Sequence, residues 1–319
     1  MSILASFFEH KAAQAPMAGV TDWAFRETER KFSNALLFSE MLSAHSLVHA
    51  HERTLKMSGV GRNEPPIAMQ LYGADPAVMA QAAKILQNEA NVAFIDINMG
   101  CPVRKITSAG AGGALMKTPD IAAKIIDSVV QSVTCPVTFK CRLGQNGEQK
   151  NYLSFCAQMK QAGASGVFLH ARTVEQGYAG KADWNAVAAL KSSIDFFIVG
   201  NGDVFSSENA KEFLEKTRCD GVLIGRGLLG KPWFLAECNA FLESGRKSPF
   251  FQNEKCHEIV LEHFDYLEEY YGTRNAVFVA RKHLAWYSAG KNGAVEFRKR
   301  LFSLTNAQQV RVAIKEFFG

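Results

Sequence analysis

Eight short apolar runs with helical segments between them constrain this chain more than any other feature. They fall at residues 12–16, 35–39, 67–71, 94–98, 137–141, 166–170, 196–200 and 221–225. Runs this short read as strands, and a continuous apolar character suits strands covered on both faces. Helix starts lie between them. Asp75-Pro76 and Thr118-Pro119 each offer an N-cap with proline at the first helical position, ahead of the apolar-periodic segments 77–89 and 120–132. Eight strand-then-helix units predict an α/β fold, a (β/α)8 TIM barrel. A doubly wound open sheet is the alternative, and the even repetition argues against it.

The barrel gives meaning to the polar residues at the strand ends, because all eight C-terminal ends would face one mouth. Strand one runs into Ala15-Pro-Met-Ala-Gly19 and strand three carries Gln70. Strand four ends at Asn98 and Cys101, and strand five carries Lys140 and Arg142. Strand six ends in His170-Ala-Arg-Thr173, strand seven in Asn201-Gly-Asp203 and strand eight in Gly225-Arg-Gly227. A single polar strand end is commonly structural, but this many on one mouth predict a site. The turns after strands seven and eight predict a phosphate-bearing cofactor held by backbone N–H groups, with Arg226 adding charge.

The stretch Phe94-Ile-Asp-Ile-Asn-Met-Gly-Cys-Pro102 reads as a buried strand ending in a turn with a thiol at its tip. Cys101 is therefore the candidate reacting residue, and the glycine-rich run 110–113 that follows is placed to lie close over a ligand. The seven cysteines show neither CxxC pairs nor zinc spacing. No metal site and no disulfide framework are expected, and a reducing cytoplasm is the default compartment. Glu9, His10 and Lys11 interrupt the N-terminal apolar residues, and no apolar run reaches the ~18 residues of a membrane span.

Gly245-Arg-Lys-Ser-Pro249 breaks the pattern, dividing residues 1–245 from a tail, 246–319, that reads as all-helical. Ile259, Val260, His263, Phe264, Leu267, Tyr270 and Tyr271 form a stripe at helical spacing, and Ala276, Ala280, Leu284 and Tyr287 form another. The tail holds 12 Lys and Arg against 8 Asp and Glu, four of the chain's five net positive charges. That balance hints at a polyanionic partner. Arg281-Lys-His283 and Arg298-Lys-Arg300 are the candidate phosphate contacts, although for the latter run in isolation a solvated helix surface is the favoured reading.

Together these motifs resemble the tRNA-dihydrouridine synthase family. The matching segments are Ala15-Pro-Met-Ala-Gly-Val-Thr-Asp22, Gln70-Leu-Tyr-Gly73, Asp96-Ile-Asn-Met-Gly-Cys-Pro102, Lys140-Cys-Arg-Leu-Gly144, His170-Ala-Arg-Thr173, Gln176-Gly-Tyr-Ala-Gly-Lys-Ala-Asp-Trp184, Asn201-Gly-Asp203 and Ile224-Gly-Arg226. Ala280-Arg-Lys-His-Leu-Ala-Trp-Tyr287 is similar to the helical-domain signature of the bacterial B-type branch. The resemblance implies an FMN-bearing barrel, a C-terminal helical domain that grips tRNA, and reduction of a D-loop uridine to dihydrouridine with NADPH or NADH as reductant. It implies Cys101 as proton donor. Pro16, Met17, Ala18, Gln70, Lys140 and His170 would surround the flavin ring system. Asn201, Gly202, Asp203, Gly225 and Arg226 would hold its phosphate end, and Asn98, Arg142 and Arg172 would lie near the target base.

Further expectations follow for individual residues. Lys140 should point inward, where its charge would steady the negative charge that builds on a reduced flavin, and Cys141 should face away from it. Arg104 and Lys105 should point outward, since inward cations would lower the pKa of a thiol that must stay protonated. The 110–113 loop should move to admit an extruded base. The chain has Ala171 where the family has glycine, a change whose cost depends on the sign of φ there. A monomer is expected, without membrane attachment. Two other readings stay open: an FMN barrel acting on a small pyrimidine, similar to dihydroorotate dehydrogenase, and a tRNA-binding protein without turnover.

Overall fold

The computed structural model describes residues 3–58, 67–88, 92–247 and 256–319. Eight parallel strands form its centre: β1 (Ala12–Gln14), β2 (Phe38–Ser43), β3 (Ile67–Tyr72), β4 (Val92–Met99), β5 (Val137–Cys141), β6 (Gly166–His170), β7 (Ile198–Asn201) and β8 (Gly221–Ile224). From β2 to β8 each strand pairs with its neighbours in sequence, and β1 pairs with β8, so the sheet curls round on itself as a (β/α)8 barrel. The seam between β1 and β2 is joined by one residue. The Gln14 N–H donates to the Leu36 carbonyl at 3.1 Å, and its side-chain carbonyl accepts from Phe38 N–H at 2.9 Å. Buried Glu29 receives the remaining Gln14 amide.

All eight expected strands are present. β2 is displaced from 35–39 to Phe38–Ser43 and β7 from 196–200 to Ile198–Asn201. Ala35, Leu36 and Leu37 are buried, which is why they read as strand, but pairing with β3 begins only at Phe38. Asp75 caps its helix by accepting from Val78 N–H at 2.9 Å, whereas Thr118 precedes its helix without a side-chain cap bond. Glu89, at the end of the expected helix 77–89, lies outside the described residues.

Alternation along the strands separates the interior from the helix-covered outside. On β4, Ile95 and Ile97 join the core under the helices, while Phe94, Asp96 and Asn98 point into the barrel. The N-terminal half of the interior is filled with aromatic rings. Phe168 lies 5.1 Å from Phe38 and 5.9 Å from Phe94, centroid to centroid. Leu4, from the short helix Ile3–Ser6, and Phe8 seal the end beneath them. Each such ring contributes roughly 1.5–3 kcal/mol by burial. The polar residues are thereby confined to the other end.

The helix Phe234–Ser244 returns to the barrel wall, where the Asn239 amide exchanges bonds with the Ala12 backbone at 3.0 and 3.1 Å. The four helices Cys256–Tyr271, Thr273–Tyr287, Ala294–Leu301 and Ala307–Phe318 share a second core built around Phe264, Leu284, Phe297 and Ile314. Ser248 and Pro249, part of the expected break, lie outside the described residues. The helical unit seats on the first barrel helix, Trp23–Arg30. Ala24 enters the second core, Phe25 stacks on His283 at 5.8 Å, and the Tyr271 hydroxyl donates to Asp22 at 2.7 Å. Among the described residues no helix is long and apolar enough to cross a membrane.

This packing revises one expectation. Arg281-Lys-His283 does not form a phosphate-binding face. His283 is buried against Phe25 and His263, Arg281 donates to the Leu304 carbonyl at 2.8 Å, and Lys282 donates to the Gly19 carbonyl of the barrel. Within Ala280–Tyr287, the buried Ala280, His283, Leu284 and Tyr287 are interface and core. The basic run Arg298, Lys299 and Arg300 is exposed.

Candidate active site

The inward polar residues converge on a cavity of about 450 Å³ at the C-terminal mouth. That volume is within the ~300–1,000 Å³ of pockets that take a cofactor-sized ligand. Gln70, Asn98, Lys140, His170 and Asn201 rise from the strands. Pro16, Met17 and Ala18 make one wall from the loop after β1. Gly202, Asp203, Gly225 and Arg226 line the loops after β7 and β8, and Cys101 and Arg142 complete the ring. Of the residues expected there, only Arg172 is absent from the lining.

A chain of hydrogen bonds runs from the interior to the thiol. Thr138 and Gln70 donate to the two Asp96 carboxylate oxygens at 2.8 and 2.7 Å. The Gln70 carbonyl then accepts from the Asn98 amide at 2.8 Å. The Asn98 carbonyl in turn accepts the backbone N–H groups of Gly100 and Cys101 at 3.2 and 3.0 Å. Backbone donors can meet only an oxygen, so each amide has one sense. Asn98, expected beside the target base, is committed to holding the Cys101 turn.

Arg142 plays a similar part. Its Nε donates to the Gly100 carbonyl and its guanidinium to the carbonyls of Thr173 and Gly177, each at 2.8 Å. It ties the Cys101 turn to the loop after β6. Gly112 and Gly113 close the turn from behind. Gly112 has φ +59°, and a Cβ there would stand 3.0 Å from the Cys101 carbonyl oxygen and 3.1 Å from its Cβ. Both glycines are buried and the Gly113 N–H donates to the Cys101 carbonyl at 2.9 Å. The run therefore supports the thiol from beneath; it does not lie over the cavity.

Cys101 is half-buried and is the one cysteine in the cavity wall. Cys141 faces away from it and from Lys140, 4.0 Å from Cys156 in the outer core. Arg104 and Lys105 are exposed, on the outside of the turn. Ala171 is buried at negative φ, so its methyl group adds no backbone strain beside His170.

Burial sets the charges. It pushes Asp96 up to about 7, against the lowering effect of its bonds to Gln70 and Thr138. It lowers Lys140 to about 8, helped by the Arg142 charge and opposed by Asp96. His170 is held well below its usual range by burial and then by Lys140, Arg142, Arg172 and Arg226, so it is neutral at pH 7. Burial also lowers Arg142, to about 10, which leaves it charged.

The Asp96 shift has a measurable sign. The folded protein holds this proton up to about pH 7, whereas an unfolded aspartate releases it near 3.9. Asp96 therefore favours the folded state below pH 4, and that contribution is lost as pH rises through 7. In a thermal-unfolding series, Asp96→Asn should lose less stability than the parent between pH 4 and 8. Parallel curves would show that Asp96 does not titrate in this window.

In the loop after β7, Asp203 has φ +57°, an uncommon conformation that aspartate tolerates better than most residues. Its carboxylate takes Arg172 at 2.7 and 2.8 Å, Arg226 at 2.9 Å and the Ala182 N–H at 2.8 Å. Those partners outweigh its partial burial and lower its pKa. Arg172, 1% exposed, also donates to the Ala179 and Gly180 carbonyls. This corrects its expected place near the base: it is a buried brace for the Asp203 turn.

Two aromatic side chains at the rim carried no expected role. Tyr178 is 59% and Phe205 50% exposed, and the Arg226 guanidinium lies 4.8 and 5.5 Å from their rings. Tyr178 sits within a motif segment, and that was its only sequence signal. Met41 also lines the cavity. The expected second strand, 35–39, stops short of it, whereas β2 runs to Ser43.

The comparisons with known proteins agree with this architecture. A family model described as Dihydrouridine synthase (Dus) matches residues 13–318. The chain is 36% identical over 306 residues to tRNA-dihydrouridine synthase B of Pseudomonas aeruginosa, covering 96% of this chain and 92% of the relative. It is 40% identical over 306 residues to probable tRNA-dihydrouridine synthase 1 of Synechocystis, covering 94% and 84%. Among solved structures, histamine dehydrogenase from Rhizobium is similar in fold, with a TM-score of 0.55 at 13% identity over 80% of this chain and 49% of that one.

Proposed function

The chain belongs to the dihydrouridine synthase family, and from that premise we propose that it reduces particular uridines of tRNA, in the D-loop, to 5,6-dihydrouridine. FMN is the proposed cofactor and NADPH or NADH the reductant. The residues present suit such a group. Among the described residues, Lys140, Arg142 and Arg226 line the cavity with one carboxylate, Asp203, which is already paired with two arginines, so an anion is favoured. Pro16, Met17, Ala18 and Met41 give an apolar wall for a flat ring system. At Gly225 a Cβ would touch Ala15 and Met17, each at 3.6 Å, so glycine keeps the backbone after β8 bare where it faces the apolar wall.

When bound, the flavin would supply the hydride that saturates the C5–C6 bond of uracil. The chain supplies the proton and the geometry. Cys101 gives its S–H proton to the second carbon, and the thiolate left behind regains a proton from solvent. Gln70, Lys140 and neutral His170 address the ring system, and Arg226 with the turns at Asn201, Gly202, Asp203 and Gly225 takes the phosphate end. Residues 1–245 would carry the chemistry and 246–319 would grip RNA, one chain serving one tRNA in the cytoplasm. The observation that carries the reading is the Cys101 thiol, fixed on the cavity rim through Asn98.

The test is anaerobic. The purified protein is loaded with FMN, reduced with NADPH, and mixed with unmodified tRNA while flavin absorbance is followed. Rapid tRNA-dependent reoxidation is expected. Reoxidation by a small pyrimidine but not by tRNA would replace this reading with the small-molecule one. Failure to take up FMN would leave the chain as an RNA-binding protein.

A further inference from the structure

The loop that forms the apolar wall is gripped by a residue far away in sequence. The Gly19 N–H donates to the Glu40 carboxylate of β2, and the Gly19 carbonyl accepts from Lys282 Nζ of the helix Thr273–Tyr287. Gly19 has φ +73°, which permits the tight turn, and Lys282 Nζ stands 3.8 Å from where a Cβ would be. The turn is short and internally bonded. Val20 and Thr21 N–H both donate to the Met17 carbonyl at 3.0 Å, and Met17 N–H donates to Thr21 Oγ1 at 3.1 Å. Any shift of Gly19 is thus passed to Met17, and Met17 lines the cavity with Pro16 and Ala18.

Lys282 is costly to place there. It is half-buried at the join between the helical unit and the barrel, where its charge faces the buried carboxylates of Glu40 and Asp22. Other contacts also seat the helices. Tyr271 already holds Asp22, and His263 and His283 already pack on Phe25. What Lys282 adds is a charged bond to one peptide of the turn whose neighbours line the cavity.

We propose that Lys282 is a positioning residue for the cofactor, holding the Gly19 turn so that Pro16, Met17 and Ala18 present a fixed wall to the bound ring system. The proposal rests on the flavin reading for its consequence but not for its geometry. It gives the C-terminal helices a second task beside RNA binding: they complete the cofactor pocket.

The test uses the full chain as parent, Lys282→Met and Lys282→Arg. FMN affinity is titrated by flavin fluorescence, and exchange of the Gly19, Val20 and Thr21 amides is followed without FMN. A bond from a charged donor is typically worth a factor of about ten or more. Lys282→Met should weaken FMN binding about tenfold and speed exchange in the turn by a similar factor, with exchange across 256–319 unchanged and with Arg restoring both. Parental exchange in the turn of the Met variant would overturn the proposal. So would loosening of the whole helical unit, which would make Lys282 a residue of the fold alone. A parent that takes up no FMN would remove the flavin reading, while the exchange data would still decide whether Lys282 holds the turn.

Discussion

Cys101→Ala should lower the rate of tRNA-dependent flavin reoxidation by roughly 10²–10⁴-fold, the range for removing a positioned general acid. Binding of FMN and of tRNA should stay at the parental level. The structure says why the variant is clean. The turn is held by backbone groups: Asn98 takes the Cys101 N–H, and the Gly113 N–H meets the Cys101 carbonyl. Alanine keeps both bonds and keeps the Cβ that packs over Gly112. Only the sulfur and its proton are lost. Cys101→Ser is the complement, because a hydroxyl fits the same space but surrenders its proton far less readily. It should stay close to the alanine variant. If Cys101→Ala turned over at the parental rate in a single-turnover experiment, the proton would have to come from elsewhere, and the Lys140 ammonium, its pKa lowered to about 8, would be the next group to test.

Much of this site was legible from strand periodicity because an eightfold barrel leaves little freedom. A period of two decides which side chains enter the interior, and strand direction decides which end they reach. Gln70, Asn98, Lys140, His170 and Asn201 therefore fall on one mouth once the strands are located. Which partner each side chain takes there was not legible. Arg172 and Arg142 look like ligand contacts because arginine at a strand end commonly is one. Both satisfy backbone carbonyls of the loop after β6, and Arg172 also Asp203, partners fixed by loop conformation; Arg142 still lines the cavity and Arg172 does not. The glycines at 112 and 113 look like a loop over a ligand, yet their lack of side chains serves close packing behind Cys101. Lys282 and Gly19 meet across 263 residues, and no local pattern announces such a contact. His263 and Tyr287 sit on buried stripes that the helical period marks, while the basic neighbours of His283 mask a position that the same period places on the buried face.

Lys140→Met should be the most damaging substitution that leaves Cys101 in place. Lys140 projects inward from β5, and at pH 7 an ammonium with its pKa lowered to about 8 is still mostly charged. It is also the cation that compensates Asp96 beneath it, one of the groups keeping that carboxylate's pKa from rising further. Methionine fills similar space without charge, so the cavity loses a preorganised positive group where water is scarce and where charge acts most strongly. The midpoint potential of bound FMN should move to more negative values. Turnover should fall roughly 10²–10³-fold, the cost of deleting a group that stabilises developing charge. FMN binding should weaken less, because the Arg226 end of the cavity is unchanged. The pH dependence separates this role from simple packing. The parent should lose activity as pH rises through about 8, where Lys140 gives up its proton, and the Lys140 contribution to that limb should be missing from the methionine variant. A variant with parental potential and turnover would place the stabilising charge on Arg142 instead. A variant with low turnover but an unchanged alkaline limb would show that the limb belongs to another group, and Lys140 would then act through shape and not through charge.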